Sequence, residues 1–246
     1  MDVLTVDGKA FPIEVSGTRY GKMIYVQGGS FKMGSDHFDW SLPIHDVTLD
    51  DFYIGETQVT QALWTAVTGN NPSDEYYGYG REDNFPVNSV SWDDVTNLFL
   101  PELNRLTGMK FRLPTEAEWE FAARGGNLSK GYKYSGSNKL NDVAWSERNS
   151  QHEENGLMYV HPVAEKLPNE LGLYDMSGNV CEWCSDFFAP SYQSEPVVNP
   201  TGPASGKSRV FRGGSYHNSP VNLRVGHRCG NPPGFKASFL GVRLAL

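Results

Sequence analysis

The stretch Arg112-Leu113-Pro114-Thr115-Glu116-Ala117-Glu118-Trp119-Glu120 specifies a helix by its own local chemistry. Thr115 followed three residues later by Glu118 is a capping box. The hydroxyl accepts from a first-turn N–H, and the carboxylate reaches back to the backbone N–H of Thr115. The predicted helix runs over 116–124 and stops at Gly125-Gly126, residues suited to the left-handed turn that ends helices. Trp119 is expected in the core, as is Trp183 further on.

Working outward, Leu171–Met176 leads into a tight turn at Ser177-Gly178-Asn179 and then an apolar segment, Val180–Trp183. On the other side, Lys22–Gln27 reads as a strand that turns at Gly28-Gly29 into Phe31–Gly34, a hairpin. Residues 1–21 read as a leading extension with an edge strand at Phe11–Val15, and His45–Leu49 alternates as a further strand. Thr60 caps a helix through Thr68 that ends at Gly69. Ser91 and Asp94 form a second capping box for a helix over 92–105, in which Pro101 is expected to make a kink or break. Residues 70–84, 125–170 around Val143-Ala144-Trp145, and 186–206 read as loop. There is no βαβ rhythm, internal repeat or linker, so the expectation is one α+β domain over 1–246.

The C-terminal region, 212–246, is of another kind. Val210-Phe211 and Leu240–Leu246 read as short strands, and the segment between them is aperiodic and rich in Gly, Pro, Asn and Ser. A loop this long inside a compact domain is usually functional. No Asp or Glu follows Glu195, while Lys207, Arg209, Arg212, Arg224, Arg228, Lys236 and Arg243 give residues 196–246 a formal +7 in a chain of −8. Such asymmetry can mark a nucleic-acid surface. No adjacent Lys/Arg run occurs, however, and a phosphate-tracking surface needs clustered cations. The favoured reading is that arginines under the loops pair with carboxylates of the acidic part, with no nucleic-acid partner.

Composition fits a folded, turn-rich protein: 39% hydrophobic, 13% aromatic and 20% charged residues, with 26 Gly and 15 Pro. No apolar run approaches the ~20 residues needed to span a bilayer, and Met1–Ala10 reads as neither a signal nor a transit peptide. Cys181, Cys184 and Cys229 make no disulfide framework. Cys181-x-x-Cys184 lacks the second pair a zinc site needs. His152, His161, His217 and His227 show no metal-ligand spacing.

Several motifs together resemble the formylglycine-generating-enzyme family over about 22–246: Gly28–Gly34, Arg112–Glu120, Ala122–Gly126, Gly172–Val180, Arg212–Ser215 and Gly241–Arg243. The resemblance implies a C-type-lectin-like fold with two helices, short antiparallel strands and much irregular loop, its N- and C-terminal strands close together. It also implies where an oxidase would keep its two copper-binding cysteines. Those places hold Asn218 and Leu223, neither of which supplies the soft thiolate that Cu(I) prefers. No catalytic residue and no catalytic cofactor is therefore expected. The triplets by which sugar-binding C-type lectins hold calcium are absent as well.

Within this fold the chain is similar to the variable proteins made by diversity-generating retroelements, whose C-terminal Asn codons are rewritten by adenine mutagenesis. That likeness implies a ligand-binding set of Tyr216, His217, Asn218, Ser219, Val221, Asn222, His227, Cys229, Gly230, Asn231, Pro233, Gly234, Phe235, Ala237, Ser238 and Phe239. Gly213-Gly214, Leu223–Val225, Arg228, Pro232 and Leu240–Leu246 would be framework. It further implies a protein ligand on another cell or host surface, and display at the cell surface through a lipoprotein-type anchor that is not part of this chain. The family also carries a structural calcium at the positions of Asp175, Gly178, Val180 and Glu182. A second family calcium is not expected, since Val143 stands where Asn is required.

Overall fold

The computed structural model describes residues 10–74, 81–152 and 155–246. Part of the expected leading extension and part of the 70–84 loop lie outside the described residues. The expected α+β architecture is observed, built on three small sheets. The first joins β1 (Ala10–Val15), β2 (Thr18–Val26) and β5 (Phe52–Gly55). The second joins β3 (Gly29–Met33), β4 (His45–Leu49) and β7 (Val197–Val198). The third runs in the order β10 (Leu240–Gly241), β6 (Cys181–Phe187), β8 (Arg209–Arg212), β9 (Arg228–Asn231). The chain end closes on the first sheet: Tyr53 and Gly55 donate to the carbonyls of Leu246 and Leu244. The N- and C-terminal strands thus meet, as expected.

The expected hairpin of Lys22–Gln27 with Phe31–Gly34 does not form. β2 pairs antiparallel with β1 and β5, and β3 with β4. A two-residue hairpin turn needs positive φ, and neither Gly28 nor Gly29 has it. These glycines serve close approach instead. A Cβ on Gly28 would lie 2.3 Å from the Leu49 carbonyl, so the chain passes tightly between sheets. Residues 10–21 are structural too: Phe11, Ile13 and Val15 are buried.

Three helices of at least eight residues occur among the described residues, at the three places the caps predict, where the resemblance implied two. In α1 (Gln61–Thr68), Thr60 caps the start and Gly69 adopts the left-handed conformation at the end. In α3 (Glu116–Ala123) the Thr115/Glu118 capping box is formed. The helix between them, α2, runs continuously over 92–107, and Pro101 does not break it. The preceding turn, Val95–Phe99, is a π turn. Its wider winding accommodates the missing N–H and the ring, which a regular α-helix would not.

Every residue of α3 is buried, including Glu116, Glu118 and Glu120. Such acids need partners: Arg112 holds Glu118 at 2.7 Å, Arg124 reaches Glu120 at 2.7 Å, and the C-terminal region supplies the rest. Arg228 holds Glu116 bidentately at 2.6 and 2.7 Å, and Arg212 pairs with Glu120. Arg243 holds Glu182 of β6 at 2.9 and 2.8 Å. All three guanidinium groups are buried. Three of the seven C-terminal cations are thus internal ion-pair partners, and a fourth, Lys236, pairs with Asp94 at 2.7 Å nearer the surface. Trp119 and Trp183 are fully buried, as expected.

Removing one partner of a buried pair strands the other charge. Glu120→Ala should cost about 3–5 kcal/mol by chemical denaturation. Glu102→Ala, which breaks an exposed pair with Arg105, should leave the unfolding midpoint almost unchanged. Equal shifts would contradict this division.

Candidate ligand-binding surface

After β8 the chain turns at Gly213 and Gly214, with φ of 94° and 68°. A side chain on Gly214 would meet the Asn222 carbonyl at 2.7 Å, so the turn requires glycine twice over. The following backbone is tied to the scaffold by main-chain hydrogen bonds. Tyr216 N–H donates to the Asn179 carbonyl, and Val225 N–H to that of Lys133. The carbonyls of Asn218, Pro233, Ala237 and Phe239 accept from the N–H groups of Glu147, Asp93, Ser89 and Cys181. Leu223 is inserted, fully buried, against Tyr134, Val143 and Ala144. None of these backbone ties depends on the identity of a side chain in the loop.

The side chains sort accordingly. Of the sixteen expected ligand-binding residues, Val221, Gly234 and Phe235 are exposed, and all the others except His227 are partly exposed. Tyr216, His217, Phe239 and Phe235 form a continuous aromatic row, with ring centroids 5.1, 5.1 and 6.5 Å apart. Phe235 is 39% exposed, whereas Phe239 also packs on the core. Cys229, Gly230 and Asn231 lie on β9 and pair with β8, so their backbone is strand where loop was expected. Among the expected framework, Pro232 is exposed.

His227 is a correction, being only 6% exposed. Its ring is covered by Phe38 and Trp40, with centroids at 4.8 and 6.3 Å. Burial, then the nearby Arg212, lowers its pKa to about 4. Trp40 itself is 40% exposed and borders a groove of about 650 Å³ with Phe188, Pro190 and Cys229–Asn231. The aromatic pair Phe38-x-Trp40 in a polar loop was the only sequence signal for that wall.

Neither of the two expected copper-ligand places holds a thiol. Asn218 accepts a 2.8 Å hydrogen bond from Ser215 Oγ, and Leu223 lies in the core. Burial raises the pKa of all three thiols. Cys229 Sγ lies 3.8 Å from His227 Nε2. A thiol pushed up beside a histidine pushed down does not form the thiolate–imidazolium pair of an activated nucleophile.

The expected calcium ligands are brought together, but as a set that does not fit the ion. The carbonyls of Asp175, Gly178 and Val180 and Oε1 of Glu182 converge on the side-chain nitrogen of Gln58. The Asp175 carboxylate faces elsewhere, accepting from Ala164 N–H at 2.8 Å. Burial raises its pKa to about 6.

Comparison with known proteins follows this geometry. The sulfatase-modifying factor enzyme 1-like domain matches residues 10–246. The formylglycine-generating enzyme of Streptomyces coelicolor is 35% identical, covering 90% of this chain and 88% of that protein. Among solved structures, Treponema denticola variable protein 1 superposes with a TM-score of 0.84 at 32% identity, covering 96% and 98% of the two chains. PvdO from Pseudomonas aeruginosa gives 0.77 at 27% identity, covering 97% of each.

Two outcomes follow from the packing. Val221→Ser and Asn222→Ala should each change stability by about 0.5 kcal/mol or less, as surface sites do, while Leu223→Ala should cost about 2–5 kcal/mol. His227 titrates at about 4 in the fold and at about 6.5 unfolded. The unfolded chain therefore binds the extra proton first. The stability contributed by neutral His227 is complete above pH 6.5 and is lost as pH falls toward 4. Urea titrations at pH 7 and pH 5 should show a smaller loss for His227→Phe than for the wild type. An identical loss would contradict the assignment.

Proposed function

The chain belongs to the family of the sulfatase-modifying factor enzyme 1-like domain, and we propose that this member is a non-catalytic binding protein displaying a diversified C-terminal surface. The observation that carries the proposal is the division of labour over 213–239. The backbone is tied by main-chain hydrogen bonds and buried framework residues, while the intervening side chains are at least partly exposed, apart from buried His227 and with Cys229, Ala237 and Phe239 also packing on the core. Side chains there can change without moving the chain that bears them. The 0.84 likeness to a Treponema variable protein supports this reading.

The ligand is a protein, in this proposal, on another cell or host surface. Tyr216, His217, Phe235 and Phe239 act as aromatic anchors among small polar neighbours, the composition antibody loops use for protein surfaces. Buried framework arginines leave few free cations on this side, which argues against nucleic acid. Among the described residues no helix is long and apolar enough to cross a membrane. Display at the cell surface is part of this proposal.

The oxidase alternative is disfavoured because Asn218 and Leu223 stand at the copper-ligand positions. Incubation with copper and a peptide bearing Cys-x-Pro-x-Arg should yield no aldehyde above buffer, and any aldehyde would sink the non-catalytic reading. For binding, two chains differing only at Tyr216, His217, Val221, Asn222 and Phe235 should be used to pull down proteins from host-surface extracts. The recovered proteins should change while the melting midpoint stays put. The same recovered set from both chains would contradict display by these residues.

A further inference from the structure

Gln58 follows β5 and is 1% exposed. Its side-chain nitrogen lies 2.8 Å from the Val180 carbonyl, 3.1 Å from Glu182 Oε1, 3.2 Å from the Asp175 carbonyl and 3.4 Å from the Gly178 carbonyl. The turn that supplies these oxygens is conformationally costly: Asp175, Gly178 and Asn179 all have positive φ, at 58°, 89° and 60°. Three carbonyls and a carboxylate aimed at one buried point repel one another unless something electropositive occupies it. Either a cation or a donor group can fill that role.

Glu182 bears on the choice, because a carboxylate offers about four acceptor positions and three of them are taken by groups other than Gln58. Oε2 accepts from Trp119 Nε1 at 2.6 Å and Arg243 Nε at 2.9 Å, and Oε1 from Arg243 Nη2 at 2.8 Å and Gln58 Nε2 at 3.1 Å. Arg243 already supplies the neutralising charge. The same guanidinium holds the carbonyls of Gly55 and Tyr174, tying both flanks of the site. Ca²⁺ needs about 6–8 oxygens at roughly 2.3–2.6 Å. The opposite amide orientation would aim the Gln58 oxygen at four acceptors; in the present one the nitrogen brings two N–H donors to them and the Gln58 oxygen is buried without a hydrogen-bond partner.

We propose that the Gln58 side-chain amide takes the place of a structural cation, fastening the 175–182 turn to the β5–α1 connection and making that turn independent of metal. The turn in turn supports the C-terminal region, since the Asn179 carbonyl accepts from Tyr216 N–H. The proposal does not depend on the binding function and holds whatever the outer residues recognise.

The test is melting of the full chain in excess calcium and in excess EDTA, with elemental analysis of the purified protein. Gln58→Met, which keeps the volume and removes the donor, is measured alongside. The wild type should melt at the same temperature in both solutions and carry no stoichiometric calcium. Gln58→Met should melt lower than wild type in both, because the oxygens lose their donor while the space stays filled. A higher wild-type midpoint in calcium, or calcium at one equivalent, would overturn the proposal. Gln58→Met melting together with wild type would overturn it equally.

Discussion

Three buried guanidinium–carboxylate pairs connect parts of the chain that no local interaction could join. Arg228 reaches Glu116 and Arg212 reaches Glu120 on one helix, and Arg243 reaches Glu182 on β6. A buried charge without its partner costs several kcal/mol, so each carboxylate demands that the C-terminal region arrive in one register. Two of the pairs, together with Arg112 on Glu118, also account for a helix that is buried all round although its sequence carries three glutamates. Whether they add net stability over apolar residues is a separate matter from the specificity they impose.

That register positions a backbone further tied by main-chain hydrogen bonds and by scaffold hydroxyls, Ser177 Oγ donating to the Leu223 carbonyl and Ser41 Oγ to that of Gly226. Side chains then divide by direction: Leu223, Val225 and Leu240 face the core, while Val221, Asn222 and Phe235 face out. A surface built this way separates what must be constant for folding from what is free to vary. At the two places where the resemblance implies copper-binding cysteines, Asn218 and Leu223 serve the turn and the core.

Legibility in the sequence followed the range of the interaction. Caps at Thr60, Ser91 and Thr115 were readable because donor and acceptor lie within one turn. The motifs around Arg112–Glu120 and Gly172–Val180 carried the fold. The misplaced hairpin at Gly28-Gly29 failed because glycine serves close packing as readily as positive φ. Continuity of the helix through Pro101 depended on a π turn that composition does not announce. His227 lay in a stretch that reads as display, and its cover, Phe38 and Trp40, comes from the other end of the chain. Gln58 gave no signal at all, since its acceptors lie more than a hundred residues away.

The central claim is that the path of the backbone from Gly213 to Leu246 is set by framework residues and main-chain hydrogen bonds, not by the outward side chains. The direct measurement is a crystal structure of a chain in which Tyr216, His217, Asn218, Val221, Asn222, Phe235 and Ser238 are replaced together. The account predicts an unchanged main-chain path, with the bonds Tyr216 N–H to Asn179, Asp93 N–H to Pro233 and Ser89 N–H to Ala237 intact. A rearranged backbone over 216–239 would contradict it.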